Sequence, residues 1–213
     1  TDNTLSISEG GVVAIDSSML SATDADSPDA DLLFSVSGES HGWFADIADT
    51  ATPISSFTQA DVTAGSIVFV HDRGELAPAY QISVEDGVLS TGPSAASISF
   101  SNVNDAPTGN VTITGTAEED QTLTVSNTLA DADGMGSVSY QWQRDGSDIT
   151  GATGASYTLG DADVGATITV VASYLDGEGT NESVTSAGVG PIANVNDTPT
   201  GSVTISGTPT EDL

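Results

Sequence analysis

A short segment of this chain returns almost unchanged further along the sequence. Residues 102–107 read NVNDAP and residues 194–199 read NVNDTP, which sets a period of 92 residues. The match continues from TGNVTITGT at 108–116 to TGSVTISGT at 200–208. Because repetition at a fixed spacing is typical of tandem modules, we predict one module at 1–105, a second at 106–197 and the truncated start of a third at 198–213. Modules of this length have the usual size of a β-sandwich.

The hydrophobic pattern within the modules favours β-strands. Apolar residues alternate with polar ones along residues 80–84, 138–142 and 168–174, which is the period of a half-buried strand. Turn sequences rich in Gly, Asp and Asn separate these segments. Helical periodicity is limited to single turns near 58–64 and 160–165. The pattern predicts an all-β fold.

The charge balance excludes several classes of partner. The chain has 31 acidic and 2 basic residues, a formal net charge of −29, and 22 of its acids are Asp. Such a surface repels phosphate backbones and anionic lipids, so we expect neither nucleic-acid binding nor direct membrane insertion. At 37% hydrophobic residues the chain can still form cores. The first residues do not resemble a signal peptide, and both ends read as cut from a longer chain.

The cysteine count directs attention to metal ions. The chain has no cysteine, so disulfides, thiolate metal sites and cysteine nucleophiles are absent together. An extracellular module without disulfides commonly depends on a metal ion for stability. Asp, Asn and main-chain carbonyls are hard oxygen ligands, which Ca²⁺ binds six to eight at a time. Zn²⁺ prefers His or Cys, and the two histidines here are far apart in sequence, so Ca²⁺ is the expected cofactor.

The first module resembles a known family. Residues 20–26 read LSATDAD and are followed by LFSV at 33–36, which is similar to the DxD segment of cadherin-like domains. The segments FTQADV at 57–62, GSIVFVHD at 65–72 and VEDG at 84–87 resemble the chondroitin-sulfate-proteoglycan type of these domains. The resemblance covers nearly all of residues 4–105 and implies a β-sandwich.

The second module resembles the Ig-like repeat of large bacterial surface and RTX-type adhesins. The resemblance is carried by ADADG at 130–134, YQWQRDG at 140–146, ITGAT at 149–153, YTL at 157–159, ADVG at 162–165 and ASYLDG at 172–177. The glycine-rich nonapeptide array of RTX proteins does not occur. Together the two resemblances imply two tandem sandwiches in a rod.

The cadherin resemblance implies calcium ligands at the module ends. For the first linker it implies Asn102, Asn104 and Asp105, with Glu9, Asp72 and Glu75 from the first module and Asp131, Asp133 and Asp176 from the second. By the same pattern, Asp24, Asp26 and Asp86 face a preceding module, and Glu119, Asn194, Asn196 and Asp197 face a following one. The sequence departs from the family where Arg73 and Gly74 precede Glu75, and where the linker lacks the final Asn of the cadherin motif.

Some acidic residues have simpler interpretations. Asp-Gly and Asn-Asp pairs are ordinary turn formers, so an acidic turn need not hold an ion. Asp61 and Asp163, each followed by Val, are expected to cap short turns by accepting main-chain hydrogen bonds. Asp29 and Asp31 are either further ligands or solvated loop charges.

The aromatic residues and histidines give weaker hypotheses. Residues 41–44 (HGWF) read as a loop in which Trp43 either anchors the loop or stacks on a sugar. Trp142 lies on an alternating strand and is expected at the centre of the second core. No nucleophile elbow accompanies His41 or His71, so we do not expect an enzyme.

The leading hypothesis is a calcium-stiffened stalk, or extender, of a secreted or surface-attached bacterial adhesin. Its partners would be neighbouring repeats of the same chain, and it would be a monomer. One alternative is a module that binds a glycan or protein ligand through residues 38–46. Another is homotypic adhesion as in cadherins.

Overall fold

The computed structural model describes residues 2–207 and 211, and the remainder of the predicted third repeat, at 208–210 and 212–213, lies outside the described residues. The chain divides into two compact units, Thr1–Asp105 and Ala106–Leu213. Across the described residues the structure consists of strands, one five-residue α-helix and one 3₁₀ turn. The all-β prediction is therefore confirmed.

The first module is built from eleven strands. They are β1 (Asp2–Ser8), β2 (Val12–Ala14), β3 (Leu20–Ser21), β4 (Leu33–Ser40), β5 (Gly42–Asp46), β6 (Asp49–Pro53), β7 (Ser56–Thr58), β8 (Ile67–His71), β9 (Ala79–Glu85), β10 (Ser90–Ala95) and β11 (Ser97–Ser101). They form three sheets with the strand orders β11-β1-β3, β10-β9-β4-β7 and β2-β8-β5-β6. The β1–β11 pair is parallel, so the last strand of the module runs beside the first.

Aromatic rings fill the core of the first module. Phe44 is fully buried, and its ring lies 5.2 Å from that of Phe57, 5.1 Å from that of Phe69 and 4.8 Å from that of Tyr80. The last two contacts are edge-on, the arrangement that ring quadrupoles favour. Because the four rings come from different strands, this cluster holds the sheets together.

A helix begins where the sequence places a capping box. Helix α1 (Gln59–Thr63) has Thr58 as its N-cap, and the Thr58 side chain accepts from the Asp61 N–H. The Asp61 carboxylate in return accepts from the Thr58 N–H at 2.8 Å and from its hydroxyl at 2.7 Å. These hydrogen bonds lower the pKa of Asp61. The predicted capping role of Asp61 is confirmed.

The second module has seven strands. They are β12 (Val111–Thr114), β13 (Thr122–Asn127), β14 (Ser139–Arg144), β15 (Ser147–Asp148), β16 (Ser156–Thr158), β17 (Ile168–Leu175) and β18 (Asn181–Thr185). They form two sheets, ordered β12-β13-β16 and β15-β14-β17-β18. Ile168, Val170, Ala172 and Tyr174 are buried along β17 while the residues between them are more exposed, as their alternation predicts.

Trp142 lies at the centre of the second core. Its side chain is fully buried, with Leu123 and Val170 in the same apolar cluster. The indole N–H donates to the Gly154 carbonyl at 2.9 Å, which satisfies the one polar group of the ring. The predicted core role of Trp142 is confirmed.

An ion pair with a buried carboxylate anchors the 3₁₀ turn Asp161–Asp163. The Asp163 carboxylate accepts from the Gly160 N–H at 2.9 Å, which is the predicted capping bond, and from the Tyr157 hydroxyl at 2.9 Å. Its third partner is the Arg144 guanidinium at 2.7 Å, a contact that was not predicted from the sequence. The hydrogen bond from Arg144 to Asp163 raises the pKa of the guanidinium.

The prediction that residues 41–44 form a loop is wrong. Gly42 and Trp43 belong to β5, which pairs with β8 over its whole length. Trp43 is half-buried against the small apolar cluster that contains Val70, and its indole N–H donates to the Thr50 carbonyl at 3.0 Å. These contacts match the anchoring role that was one of its two predicted roles.

The described part of the predicted third repeat, residues 198–207, contains no strand. Val203 is 97% exposed and Ile205 is 99% exposed. Their counterparts 92 residues earlier, Val111 and Ile113, lie on β12 and pack in the second core. Val203 and Ile205 therefore keep the alternating apolar pattern of a strand, but they are not packed in a core as their counterparts in the second module are.

Candidate metal centres

One cluster of carboxylates forms within the first module. Glu9 follows β1, Glu75 lies in the loop after β8, and Asp105 ends the linker. One carboxylate oxygen of each residue lies within 4.8 Å of the other two. Because Ca²⁺–oxygen distances are 2.3–2.6 Å, oxygens on a common ion are separated by at most about 5 Å. All three residues were predicted ligands, and the structure brings them together.

Hydrogen bonds hold the linker against the two glutamates of this cluster. The Glu9 carboxylate accepts from the Val103 N–H at 3.1 Å, and the Glu9 N–H donates to the Ser101 carbonyl at 2.9 Å. The Asn102 side-chain amide donates to the Glu75 carboxylate. The start of the linker is therefore attached to its own module before it reaches Asp105.

A second cluster forms within the second module. It consists of Glu119, Asp161 and Asp197, again with one oxygen of each within 4.8 Å of the others. Glu119 is 2% exposed, whereas both aspartates are exposed. The Glu119 carboxylate accepts from the Val195 N–H at 3.0 Å. A buried carboxylate thus faces two exposed ones at the end of the module.

The two clusters are built alike although the modules differ in sequence. Val195 follows Val103 by 92 residues, and each donates its N–H to the glutamate of its own module. The residue after each glutamate has a left-handed backbone, with φ of 61° at Gly10 and 65° at Asp120. In both modules the main chain therefore turns sharply just after the glutamate, and the glutamate side chain faces the linker.

The electrostatics of the second cluster favour a cation. The Val195 N–H lowers the pKa of Glu119, but desolvation and the carboxylates of Asp161 and Asp197 outweigh this bond and raise it. Neighbouring like charges disfavour ionisation, so the three carboxylates repel one another in the absence of a cation. An ion with two positive charges would offset that repulsion, and hard oxygen donors suit Ca²⁺.

Asp161 is a candidate ligand that sequence analysis missed. The sequence contains Asp-Ala-Asp four times, at 24–26, 29–31, 131–133 and 161–163. The first and third were predicted as ligands, the second was left as either ligands or solvated charges, and only the capping role of Asp163 was assigned in the fourth. The two aspartates of residues 161–163 have different roles. Asp163 points inward to Arg144, whereas Asp161 joins the cluster. The recurrence of the triplet was the signal that could have identified it.

The acidic residues at the other end of the first module mainly cap turns. The Asp24 carboxylate accepts from the Asp26 N–H at 3.1 Å, and the Asp86 carboxylate accepts from the N–H groups of Val88 and Leu89 at 2.8 and 2.6 Å. Asp24 raises the pKa of Asp26, first through a hydrogen bond between the carboxyls and then through its charge. These three predicted ligands are neighbours. Among the described residues, however, they do not form a group in which one oxygen of each lies within 4.8 Å of the other two.

Asp131, Asp133 and Asp176 lie on two turns that are hydrogen-bonded to each other. The Gly177 N–H donates to the Asp133 carbonyl at 3.1 Å, and the Tyr174 hydroxyl donates to the Asp131 carboxylate at 2.5 Å. Asp176 is 6% exposed, and its Oδ2 is buried without a hydrogen-bond partner. Among the described residues these three carboxylates do not meet within 4.8 Å, so any shared ion would need main-chain oxygens or further ligands.

The remaining predicted ligands lie outside both carboxylate clusters. Asp72 accepts from the Gly74 N–H at 2.9 Å and faces His41 Nδ1 at 3.3 Å. The side-chain amides of Asn104 and Asn196 donate to the carbonyls of the residues that follow them, at 3.1 and 3.2 Å, and the amide of Asn194 likewise donates to the next carbonyl at 3.0 Å. The contact of Asn104 therefore recurs at Asn196 in the second linker.

Comparison with known families finds a match in the first module. Residues 1–100 match a family model described as cadherin-like. The first module is therefore similar to cadherin-like domains. The predicted resemblance is thus confirmed at this level for the first module.

Curated proteins similar to this part of the chain are large. Chondroitin sulfate proteoglycan 4 of Rattus norvegicus is 34% identical over 84 residues, which is 39% of this chain and 4% of that protein. Extracellular matrix protein 3 of Lytechinus variegatus is 33% identical over 103 residues, which is 47% of this chain and 3% of that protein. The chain therefore spans only a few per cent of the length of these relatives.

A solved structure of tandem Ig repeats of Dlar covers 87% of this chain and 91% of its own, with 11% identity and a TM-score of 0.24. This score is too low to carry an argument, so the sandwich assignment depends on the sheets themselves. Among the described residues, no helix is both long and apolar enough to cross a bilayer.

Proposed function

We propose that this chain is a calcium-binding extender from the stalk of a large extracellular adhesin, secreted by or attached to a bacterial cell, and that it has no catalytic activity. The observation that carries the proposal is the repeated cluster. Two modules of different sequence each direct a glutamate, a second acid and their own linker aspartate to one point. Ordinary turn formation accounts for acidic loops, but not for the recurrence of this three-way convergence.

The ligand set supports Ca²⁺ over other ions. Each cluster offers three carboxylates and no imidazole or thiolate, whereas Zn²⁺ prefers nitrogen and sulfur donors. The clusters are partly exposed, which leaves space for water and main-chain oxygens to complete the six to eight ligands that Ca²⁺ takes. Extracellular calcium modules bind at about 10⁻⁴–10⁻³ M, a range suited to external fluids.

Calcium would act by fixing each linker to the module that precedes it. Without the ion, Asp105 and Asp197 are repelled by the acids beside them. Glu9, Glu75 and Asp105 would hold the ion in the first module, and Glu119, Asp161 and Asp197 would hold it in the second, so each linker would lose freedom. The further contribution of Asp131, Asp133 and Asp176 to the first linker's ion stays a prediction.

The extracellular setting of the proposal follows from the composition and the relatives. The chain has no cysteine to be affected by an oxidising environment and a net charge of −29. Relatives of the cadherin-like module include a proteoglycan and an extracellular matrix protein. A stalk of such modules needs stiffness and solubility, and calcium at the module ends would supply the first.

Small-angle X-ray scattering and thermal melting in EGTA and in 10 mM CaCl₂ test the proposal. We expect calcium to narrow the distribution of interatomic distances in the wild type and to raise its melting temperature. In the matched variant Glu9→Gln/Glu119→Gln, which keeps the shape of both side chains, calcium should have little effect. Identical scattering and melting of the wild type in the two buffers would refute the proposal.

The two alternative functions have their own readouts. Binding on a glycan array that is lost in Trp43→Ala would instead favour a ligand-binding module. Calcium-dependent self-association in sedimentation velocity would favour homotypic adhesion.

A further inference from the structure

A buried histidine lies beneath the carboxylate cluster of the first module. The His71 side chain has no exposed surface, and its ring stacks on Phe100 with 4.9 Å between centroids and 22° between planes. Buried polar atoms in folded proteins are nearly always hydrogen-bonded. The partners of the two ring nitrogens therefore show what this histidine does.

Both nitrogens of His71 bond to main-chain groups of the surrounding loops. Nδ1 lies 3.2 Å from the Gly10 N–H and 3.2 Å from the Arg73 N–H. An N–H group can only donate, so Nδ1 is the acceptor and the ring proton is on Nε2. Nε2 lies 3.0 Å from the Leu76 carbonyl and donates to it. One neutral ring thus satisfies three main-chain groups.

The contacts of the ring reach every segment that carries a carboxylate of this cluster. Gly10 directly follows Glu9, Leu76 directly follows Glu75, and Phe100 lies on β11, which leads into the linker and Asp105. We infer that His71 is the positioning residue of the first module's cation site, holding the three ligand-bearing segments in register. The inference depends on the proposed function, because it concerns the same cluster.

The second module offers an internal control. There the corresponding segments are joined by main-chain bonds, from the Glu119 N–H to the Ala193 carbonyl at 2.9 Å and from the Ala193 N–H to the Ala117 carbonyl at 2.9 Å. No side chain of the first module takes part in these bonds. A change at His71 should therefore weaken calcium binding in one cluster only.

Calcium titration of the ¹⁵N-labelled full chain, followed by NMR, tests the inference. The amides of Val103 and Val195 report the two clusters, since each donates to the glutamate of its own cluster. His71→Gln retains an amide N–H that can donate to Leu76, but it places no acceptor at the Nδ1 position, where Gly10 and Arg73 donate. Loss of groups that orient metal ligands typically lowers affinity 10–100-fold. We expect a rise of this size in the Kd read at Val103, with the Kd read at Val195 unchanged.

The outcomes separate the inference from the proposed function. An unchanged Kd at Val103 in His71→Gln overturns the positioning role, whereas absence of any titration in the wild type overturns the calcium site itself. A measurement on the wild type covers the case in which the variant does not fold. If His71 holds the loop, the Gly10 amide is protected from hydrogen exchange even in EGTA, and unprotected exchange there contradicts the inference.

Discussion

Replacing Asp197 with Asn should change the stability of the second module in opposite directions with and without calcium. In EGTA, Asp197 faces Glu119 and Asp161 with oxygens within 4.8 Å. Two unit charges at that distance in a water-like dielectric repel by about 0.9 kcal/mol. Asp197 takes part in two such pairs, and allowing for relaxation of the exposed side chains we expect Asp197→Asn to stabilise the apo module by about 1 kcal/mol.

Calcium should reverse this order. At 10 mM Ca²⁺ and a Kd of about 10⁻⁴–10⁻³ M, binding stabilises the wild-type module by about 1.4–2.7 kcal/mol. Asp197→Asn removes one of three charged ligands and should forfeit most of that gain. The variant should therefore melt above the wild type in EGTA and below it in calcium.

Tryptophan fluorescence can follow the second module alone. In a Trp43→Phe background, Trp142 is the only tryptophan and is fully buried in the second core. For a domain of 60–100 residues, 1 kcal/mol corresponds to about 4–8 °C in melting temperature. Asp148→Asn is the matched control, because it removes one charge from the same module outside the cluster. The reasoning would be refuted if Asp197→Asn melted at a lower temperature than the wild type in EGTA. It would also be refuted if calcium raised the melting temperature of both proteins equally.

Three further predictions concern the cores. Trp142→Phe removes the indole donor to the Gly154 carbonyl and leaves space where the fully buried indole packs, so chemical denaturation should show a loss of about 1–3 kcal/mol in the free energy of unfolding; no loss would contradict the central core role of Trp142. Asp163→Asn removes the buried charge that faces Arg144 and should lower the free energy of unfolding by about 3 kcal/mol. This is the low end for a buried pair, because the arginine side chain is 32% exposed. A loss below about 1 kcal/mol would contradict this role. Burial raises the pKa of Tyr80 to about 12, while an unfolded tyrosine ionises near pH 10. Stability from this group is therefore complete below about pH 10 and decreases as the pH rises toward 12, and the melting temperature should fall less in Tyr80→Phe over that range.

The fold could be predicted from the sequence where structure depends on local pattern. The alternation along residues 168–174 identifies β17 because every second side chain is buried. The capping box of α1 is likewise a local signal, since Thr58 and Asp61 satisfy each other's main-chain groups. The reading of residues 41–44 as a loop was wrong because the reversal from β4 to β5 takes only His41. Gly42 and His41 look like a loop in sequence, yet the strands on both sides stay paired.

The candidate sites could be predicted only in part. The 92-residue repeat identified Asp105 and Asp197, because a linker motif is visible in sequence. Asp161 was missed because its place beside Glu119 depends on how the 3₁₀ turn is anchored by Asp163 and Arg144. That anchor involves residues far apart in the chain, which no local pattern records. The role of His71 could not be predicted for the same reason, because its ring contacts three separate segments.

Isothermal titration calorimetry of Ca²⁺ into the full chain, in parallel with Glu9→Gln/Glu119→Gln, tests the central claim most directly. We predict at least two bound ions per wild-type chain, with Kd values of about 10⁻⁴–10⁻³ M, and loss of the corresponding heats in the double variant. An absence of binding heat in the wild type, or the same binding isotherm for both proteins, would contradict the claim that the two carboxylate clusters are calcium sites.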